Sequence, residues 1–184
     1  MGDAAPGTGT TPAQGAPAGR RVKATPLTAD GWAPFGWLPV DDTDPADGAH
    51  RLAFVWEDPH VNVIGHGAAE IVRAGGVLHC PEMYRHDTHT QVLLVLDVPA
   101  VVAVAPRQVT FDDAGDAGEI RAFLLEPLDA FVLERGTWHW GPFPAEADAV
   151  RLFNVQGLRY AEDNTRIDLE ALGAAVDVVL PGAG

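Results

Sequence analysis

The chain contains no serine, one cysteine (Cys80) and one lysine (Lys23). Without serine there can be no Gly-x-Ser-x-Gly nucleophile elbow. A single cysteine excludes an intrachain disulfide and any cysteine-rich zinc module. Cys80 stands before Pro81 and reads as a turn residue rather than a nucleophile. Lys23 lies at the boundary of an N-terminal tail, so Schiff-base catalysis is not expected. No glycine-rich phosphate loop follows an expected strand, which argues against nucleotide-dependent chemistry. Positive charge is scarce: 12 basic residues stand against 26 acidic ones, a formal net charge of −14. Phosphate backbones and anionic membranes both call for a cationic surface, so neither nucleic acid nor membrane is an expected partner. No apolar run approaches the roughly 18–20 residues of a membrane span. None follows Met1 either, so no secretory signal is read and the cytoplasm is the expected location.

What is present fits one domain. A chain of 184 residues that is 47% hydrophobic can bury a core. Its 20 glycines and 15 prolines supply many turns and disfavour a helix bundle. Residues 1–20 are expected to form a disordered tail, because Gly, Ala, Pro and Thr dominate and cannot repay the entropy of ordering. Residues 21–184 then form the domain. Short apolar runs, rich in β-branched residues, fall at 52–56, 61–64, 69–74, 92–96, 98–104, 120–125, 130–133 and 150–155. Turn residues separate them, which predicts an all-β, mainly antiparallel sandwich or barrel. Two short helices are expected: one capped by Thr28 and ending before Pro34, the other over 167–175.

Two segments carry candidate chemistry. His79, Glu82, Tyr84, Arg85, His86, Asp87, His89 and Gln91 crowd into the stretch that leads into the apolar run from Val92. In a β-barrel such a stretch can place side chains at the mouth, where ligands bind. His86 and Gln91 both reach inward only if a turn or bulge interrupts the alternation between them. The second segment runs Gly136-Thr137-Trp138-His139-Trp140-Gly141-Pro142. Trp138 and Trp140 would make a semi-apolar pocket wall suited to an aromatic or heterocyclic ligand. A buried imidazole between them would have a lowered pKa and serve as a neutral base or a metal ligand.

Together the two segments resemble the paired motifs of a cupin, a double-stranded β-helix barrel. His86, Gln91 and Gly136-x-x-His139 match, with Tyr84 where a metal-binding cupin commonly has its first His. On that resemblance a divalent metal would be held by His86, Gln91 and His139, with His89 or Glu82 completing the set.

A closer resemblance is to the ureidoglycolate lyase family, formerly called ureidoglycolate hydrolase. Arg85-His86, then Thr90-Gln91 entering a strand, is similar to its Arg-His…(Ser/Thr)-Gln motif. Arg121-Ala122-Phe123 resembles its Arg-Ala-Phe strand, and Gly136-Thr137-Trp138-His139 with Pro142 its Gly-Thr-Trp-His-His-Pro segment. Arg73-Ala74, Asp163-Asn164 and Pro26-Leu27-Thr28 fall in family-like positions. Two positions differ: Tyr84 stands where the family often has Glu, and Trp140 where it has a second His.

The resemblance implies a cupin-type barrel, a homodimer, and cleavage of ureidoglycolate to glyoxylate and urea in allantoin and purine-nitrogen degradation. Such a reaction needs a base for the carbinolamine hydroxyl and an acid for the departing nitrogen. His86 and His139 are the expected pair, and Tyr84 a donor to a developing oxyanion. Arg73 and Arg85 are candidates for the substrate carboxylate, Gln91 and Asn164 for the ureido group. No cofactor is required in this reading. The alternatives are a metal-dependent cupin enzyme, an oxygenase or isomerase, and a non-catalytic cupin that binds a small ligand.

Overall fold

The structure is a computed structural model describing residues 19–55 and 58–183. The expected tail, up to residue 18, lies outside the described residues, as do Trp56 and Glu57. In chain order the first strands are β1 (Arg20–Pro26), β2 (Gly36–Trp37), β3 (Pro59–Gly67), β4 (Arg73–Ala74) and β5 (Val77–Cys80). Next come β6 (Glu82–Arg85), β7 (Gln91–Val95), β8 (Ala100–Ala105), β9 (Arg121–Leu125) and β10 (Ala130–Leu133). The last are β11 (Trp138–Pro144), β12 (Ala149–Gly157), β13 (Thr165–Asp168) and β14 (Val176–Val179). Helix α1 (Ala29–Trp32) follows β1.

The strands form two sheets, ordered β13-β6-β11-β8-β9-β1-β14-β5-β4 and β2-β10-β7-β12-β3. Pairing is antiparallel except at β1. Its first half runs parallel to β14 and its second half parallel to β9. The larger sheet folds over at that strand, and the fold is an all-β barrel of cupin type. The middle of the larger sheet is therefore buried on both faces. Ala100, Val102 and Val104 of β8 pack inward against Leu93, Phe131 and Leu152 of the smaller sheet. Val101, Ala103 and Ala105 pack outward with Leu78, Val176 and Val178 from the folded-over part. A strand enclosed on both sides must be apolar throughout, and this explains the unbroken run in β8.

Several sequence expectations are corrected. The helix expected over 167–175 is absent. Ile167 pairs with Met83 in the sheet, Asp168 accepts from Ala171 N at 3.0 Å to cap a turn, and Gly173 has φ 68°. Cross-strand pairing and a left-handed turn override a weak helical pattern there. The run at 69–74 is split between a 3-10 turn (Ala68–Glu70) and the two-residue β4. Among its described residues, the run beginning at Leu52 forms a bridge from Phe54 to His89, flanked by bonds from Val55 N to Thr88 O and from Thr90 N to Ala53 O, rather than a strand. The short helix after Thr28 is present, with Thr28 Oγ1 accepting from Gly31 N at 3.2 Å. Among the described residues no helix is long and apolar enough to cross a membrane.

Two predictions follow from packing and charge. Trp32 is fully buried, meets Phe123 and Phe131 edge-on, and donates Nε1–H to Val132 O at 2.9 Å. Trp32→Ala should cost about 3–5 kcal/mol, read from the denaturant midpoint. His79 on β5 lies between Asp177 of β14 at 2.9 Å and Glu170 at 3.0 Å. Burial lowers its pKa, but the two carboxylates outweigh burial and raise it overall. The pair energy is then fully present below the unfolded value of about 6.5 and lost as pH rises through the raised folded value. His79→Gln should lower stability at pH 5.5 and change it little at pH 8.5.

Candidate active site

The barrel opens into a cavity of about 590 Å³ whose wall includes Tyr84, His86, Gln91, His139 and Gln156. Strand alternation decides what enters it. His139 lies opposite Val104, which faces inward, and opposite Tyr84 of β6. Trp138 and Trp140 lie opposite Ala105 and Ala103 and are carried to the outer face, where they join the outer core. Trp138 is pinned there by Nε1–H donation to Val109 O at 2.8 Å. At Gly141, φ is 86°, and an added Cβ would lie 2.9 Å from Val101 O. The register shifts past this residue, and this sets Phe143 opposite outward-facing Val101 and against the Trp140 ring at 4.6 Å.

The loop between β6 and β7 is held by Asp163, which lies between β12 and β13. Its carboxylate accepts from Asp87 N at 3.0 Å, from Thr88 N at 2.7 Å and from Thr88 Oγ1. Burial would raise the Asp163 pKa, but these hydrogen bonds outweigh burial and lower it. The loop supplies the interruption that lets His86 and Gln91 both point inward. Behind it His89 is sealed and stacks on His86 at a ring separation of 4.6 Å.

His86 and His139 are fixed in the same way. His86 Nδ1 lies 2.5 Å from Asp163 O, and His139 Nδ1 lies 3.3 Å from Thr137 O. A carbonyl can only accept, so each Nδ1 carries the proton and each Nε2 keeps its lone pair. Both rings line the cavity, 5.3 Å apart between centroids, and neither Nε2 has a partner among the described residues. Burial lowers the His86 pKa despite the Asp163 carbonyl. Burial and the neighbouring His86 lower His139 to about 3, and burial lowers His89 to about 4. Both cavity imidazoles are therefore neutral near pH 7.

The structure brings together His86, His139, Tyr84, Gln91, Asn164 and Glu82 at one cavity. Trp140 touches its rim while packing mainly into the outer core. Three expected residues lie elsewhere. Trp138 faces away through alternation. Arg85, one residue past Tyr84, is turned outward over the Trp138 ring at 4.6 Å and pairs with Asp87 at 3.3 Å. Arg73 on β4 donates to Ala147 O at 2.8 Å, away from the cavity. The cation beside Tyr84 is instead Arg166, opposite it on β13 and bonded to Glu82 at 2.5 Å. The sequence reading also passed over Asp163 as a loop anchor, and over Asn154 and Gln156. The last two share the inward parity of Val150 and Leu152 on β12, and polar residues at inward positions were the available signal.

The donor set fits a metal poorly. Ligand atoms of His86, His89 and Asp163 lie within 4.8 Å of one another. The Asp163 carboxylate is spent on the loop and His86 Nδ1 on a carbonyl. Glu82 is taken up by Arg166 and by the Tyr84 hydroxyl at 2.9 Å. His86 Nε2, His139 Nε2 and Gln91 Oε1 remain, a neutral set without a free carboxylate.

A cupin-type barrel with two neutral imidazoles and several amides in a cavity is a small-molecule site. The chain matches the family model described as ureidoglycolate lyase over residues 19–174, and it belongs to that family. No curated protein matches it. Among solved structures, it is similar to L-ribose isomerase from Cellulomonas parahominis without ligand. Identity is 19%, with 77% of this chain and 70% of that chain covered and a TM-score of 0.43. The same enzyme with L-psicose gives 18%, 76%, 70% and 0.41 in the same order. Vicilin from Corylus avellana (hazelnut) gives 12%, 66%, 35% and 0.33.

The lowered histidine pKa values predict acid sensitivity. The unfolded chain takes up protons below about pH 6.5 that the folded imidazoles refuse until about 3–4. Their contribution is present above the unfolded value and lost as pH falls toward the folded ones. The urea midpoint should drop between pH 7 and pH 5, and His89→Leu should flatten that drop. A midpoint constant over this range would contradict the burial argument.

Proposed function

We propose that the protein is a carbon–nitrogen lyase that splits ureidoglycolate into glyoxylate and urea by imidazole catalysis. The observation that carries this reading is the pair of cavity imidazoles, each with Nδ1–H tied to a carbonyl and Nε2 free. Ureidoglycolate is a carbinolamine. One Nε2 takes the hydroxyl proton as the carbon–oxygen bond becomes a carbonyl and the carbon–nitrogen bond breaks. The bond's electron pair leaves with nitrogen, and the imidazolium returns the proton there. Atoms and charge balance without water or an oxidant. The Tyr84 hydroxyl, with a pKa raised by burial and by Glu82, stays protonated, and rotating its one O–H from Glu82 to the substrate makes it a donor to the developing charge. The nearest cation for the substrate carboxylate is Arg166, opposite Tyr84, which must turn from its ion pair with Glu82 to reach it.

The reaction so written needs no metal. We also place the protein in the cytoplasm, as a homodimer. β3 is a free edge of the smaller sheet, with Val61 and Val63 57% and 58% exposed. Antiparallel pairing with a second copy would cover this edge. Light scattering after size exclusion reads the dimer directly.

Purified protein should release glyoxylate and urea from ureidoglycolate equally with and without chelator. His139→Ala and His86→Ala should each lower kcat/KM by about 10²-fold or more. Activity should show no acidic limb near pH 6.5, because the neutral imidazoles persist below it. Turnover abolished by chelator, with near-stoichiometric metal by elemental mass spectrometry, would replace this reading with the metal-dependent cupin. Saturable binding without turnover would leave a ligand-binding protein.

A further inference from the structure

Four amides occupy adjacent strands of the smaller sheet: Asn62 on β3, Asn154 and Gln156 on β12, and Gln91 on β7. Asn154 is fully buried, and Gln91 and Gln156 are 7% and 5% exposed. On these two strands the same parity otherwise carries Leu93, Val95, Val150 and Leu152 into the core. The amides are chained. Gln91 Nε2 donates to Asn154 Oδ1 at 2.9 Å and to Gln156 Oε1 at 3.2 Å, and Asn154 Nδ2 donates to Asn62 Oδ1 at 2.8 Å. Two groups are left over. Gln91 Oε1 is sealed from solvent and has no hydrogen-bond partner. Gln156 Nε2 has no partner among the described residues. Both side chains line the cavity.

A buried amide network with unsatisfied members is unfavourable unless something completes it. The leftovers are one acceptor and one donor, on side chains held together by their own hydrogen bond. A primary amide or urea presents the complement along one edge: an N–H beside a C=O. We propose that Gln91 and Gln156, positioned by Asn154 and Asn62, form a subsite that reads the terminal ureido group. A small turn of the Gln91 amide toward the cavity lets its Oε1 accept the ureido N–H, and Gln156 Nε2 donates to the ureido oxygen. Reversing every amide in the chain exchanges the two roles and still leaves one donor beside one acceptor.

This deepens the lyase reading and rests on it for the substrate, but adds what selects that substrate. A guanidino group offers only donors and a carboxylate only acceptors, so each leaves one member of the pair unmet. The donor to the ureido oxygen also helps the reaction. As the carbon–nitrogen bond breaks, charge spreads from nitrogen onto that oxygen. Gln156 then contributes to kcat as well as to KM.

The test uses two isosteric, unreactive probes with the full-length protein: N-carbamoylglycine and guanidinoacetate, which differ in one C=O against one C=NH2⁺. Calorimetry should show N-carbamoylglycine binding at least ten times more tightly, although the protein's net charge of −14 favours the zwitterion over the anion. Gln156→Glu replaces the free donor with an acceptor of the same shape and should shift the preference toward guanidinoacetate by tenfold or more. Equal binding of both probes by the native protein, or binding of neither, overturns the subsite even if ureidoglycolate is turned over. A preference for N-carbamoylglycine without turnover leaves the subsite standing and removes the lyase.

Discussion

Strand β11 lies in a layer enclosed on both sides, and the site depends on that constraint. Neighbouring side chains on an enclosed strand must go to opposite cores. Trp138 and Trp140 fill the outer core, and Trp138 is locked by Val109 O on that side and by Arg85 above its ring. His139 between them is left facing the inner cavity. Moving it outward would require both indoles to leave a packed core at once. The imidazole that the chemistry needs is therefore oriented by packing it does not itself make.

Desolvation then sets the chemical character. The barrel wall keeps water from His86, His89 and His139, and burial dominates the direction of all three pKa values. Carbonyl oxygens hold the two cavity rings in one tautomer, so the lone pairs face the ligand. Asp163 connects this to the backbone. Its carboxylate shapes the loop carrying His86, and its own carbonyl holds the His86 ring. One residue just before β13 thus fixes a histidine that follows the end of β6.

Much of the fold was legible because strands buried on one or both faces write themselves as β-branched runs. Those at β7, β8, β9, β10 and β12 were read within a residue or two. β1, β5, β6, β13 and β14 were not, because each is short or half polar and pairs with at least one strand distant in sequence. The site was partly legible for the same reason. His86, Gln91 and His139 stood out in dense polar or aromatic segments. Arg85 and Trp138 stood beside them and were misplaced, since one residue of register moves a side chain through the sheet. Arg166, Asn154 and Gln156 went unremarked, because a lone polar residue in a strand signals nothing until its face is known.

By itself, the sequence determined the class of protein: an acidic all-β chain, with two segments matching the motifs of a lyase family and without residues for an intrachain disulfide or for serine chemistry. These follow from composition and local order, which survive without a partner. Which cation meets Tyr84, which tryptophans leave the cavity, and which amides are left unsatisfied were decided only by tertiary structure. Each is a relation between strands far apart in the chain, set by sheet register and burial, and no local property of the sequence encodes it.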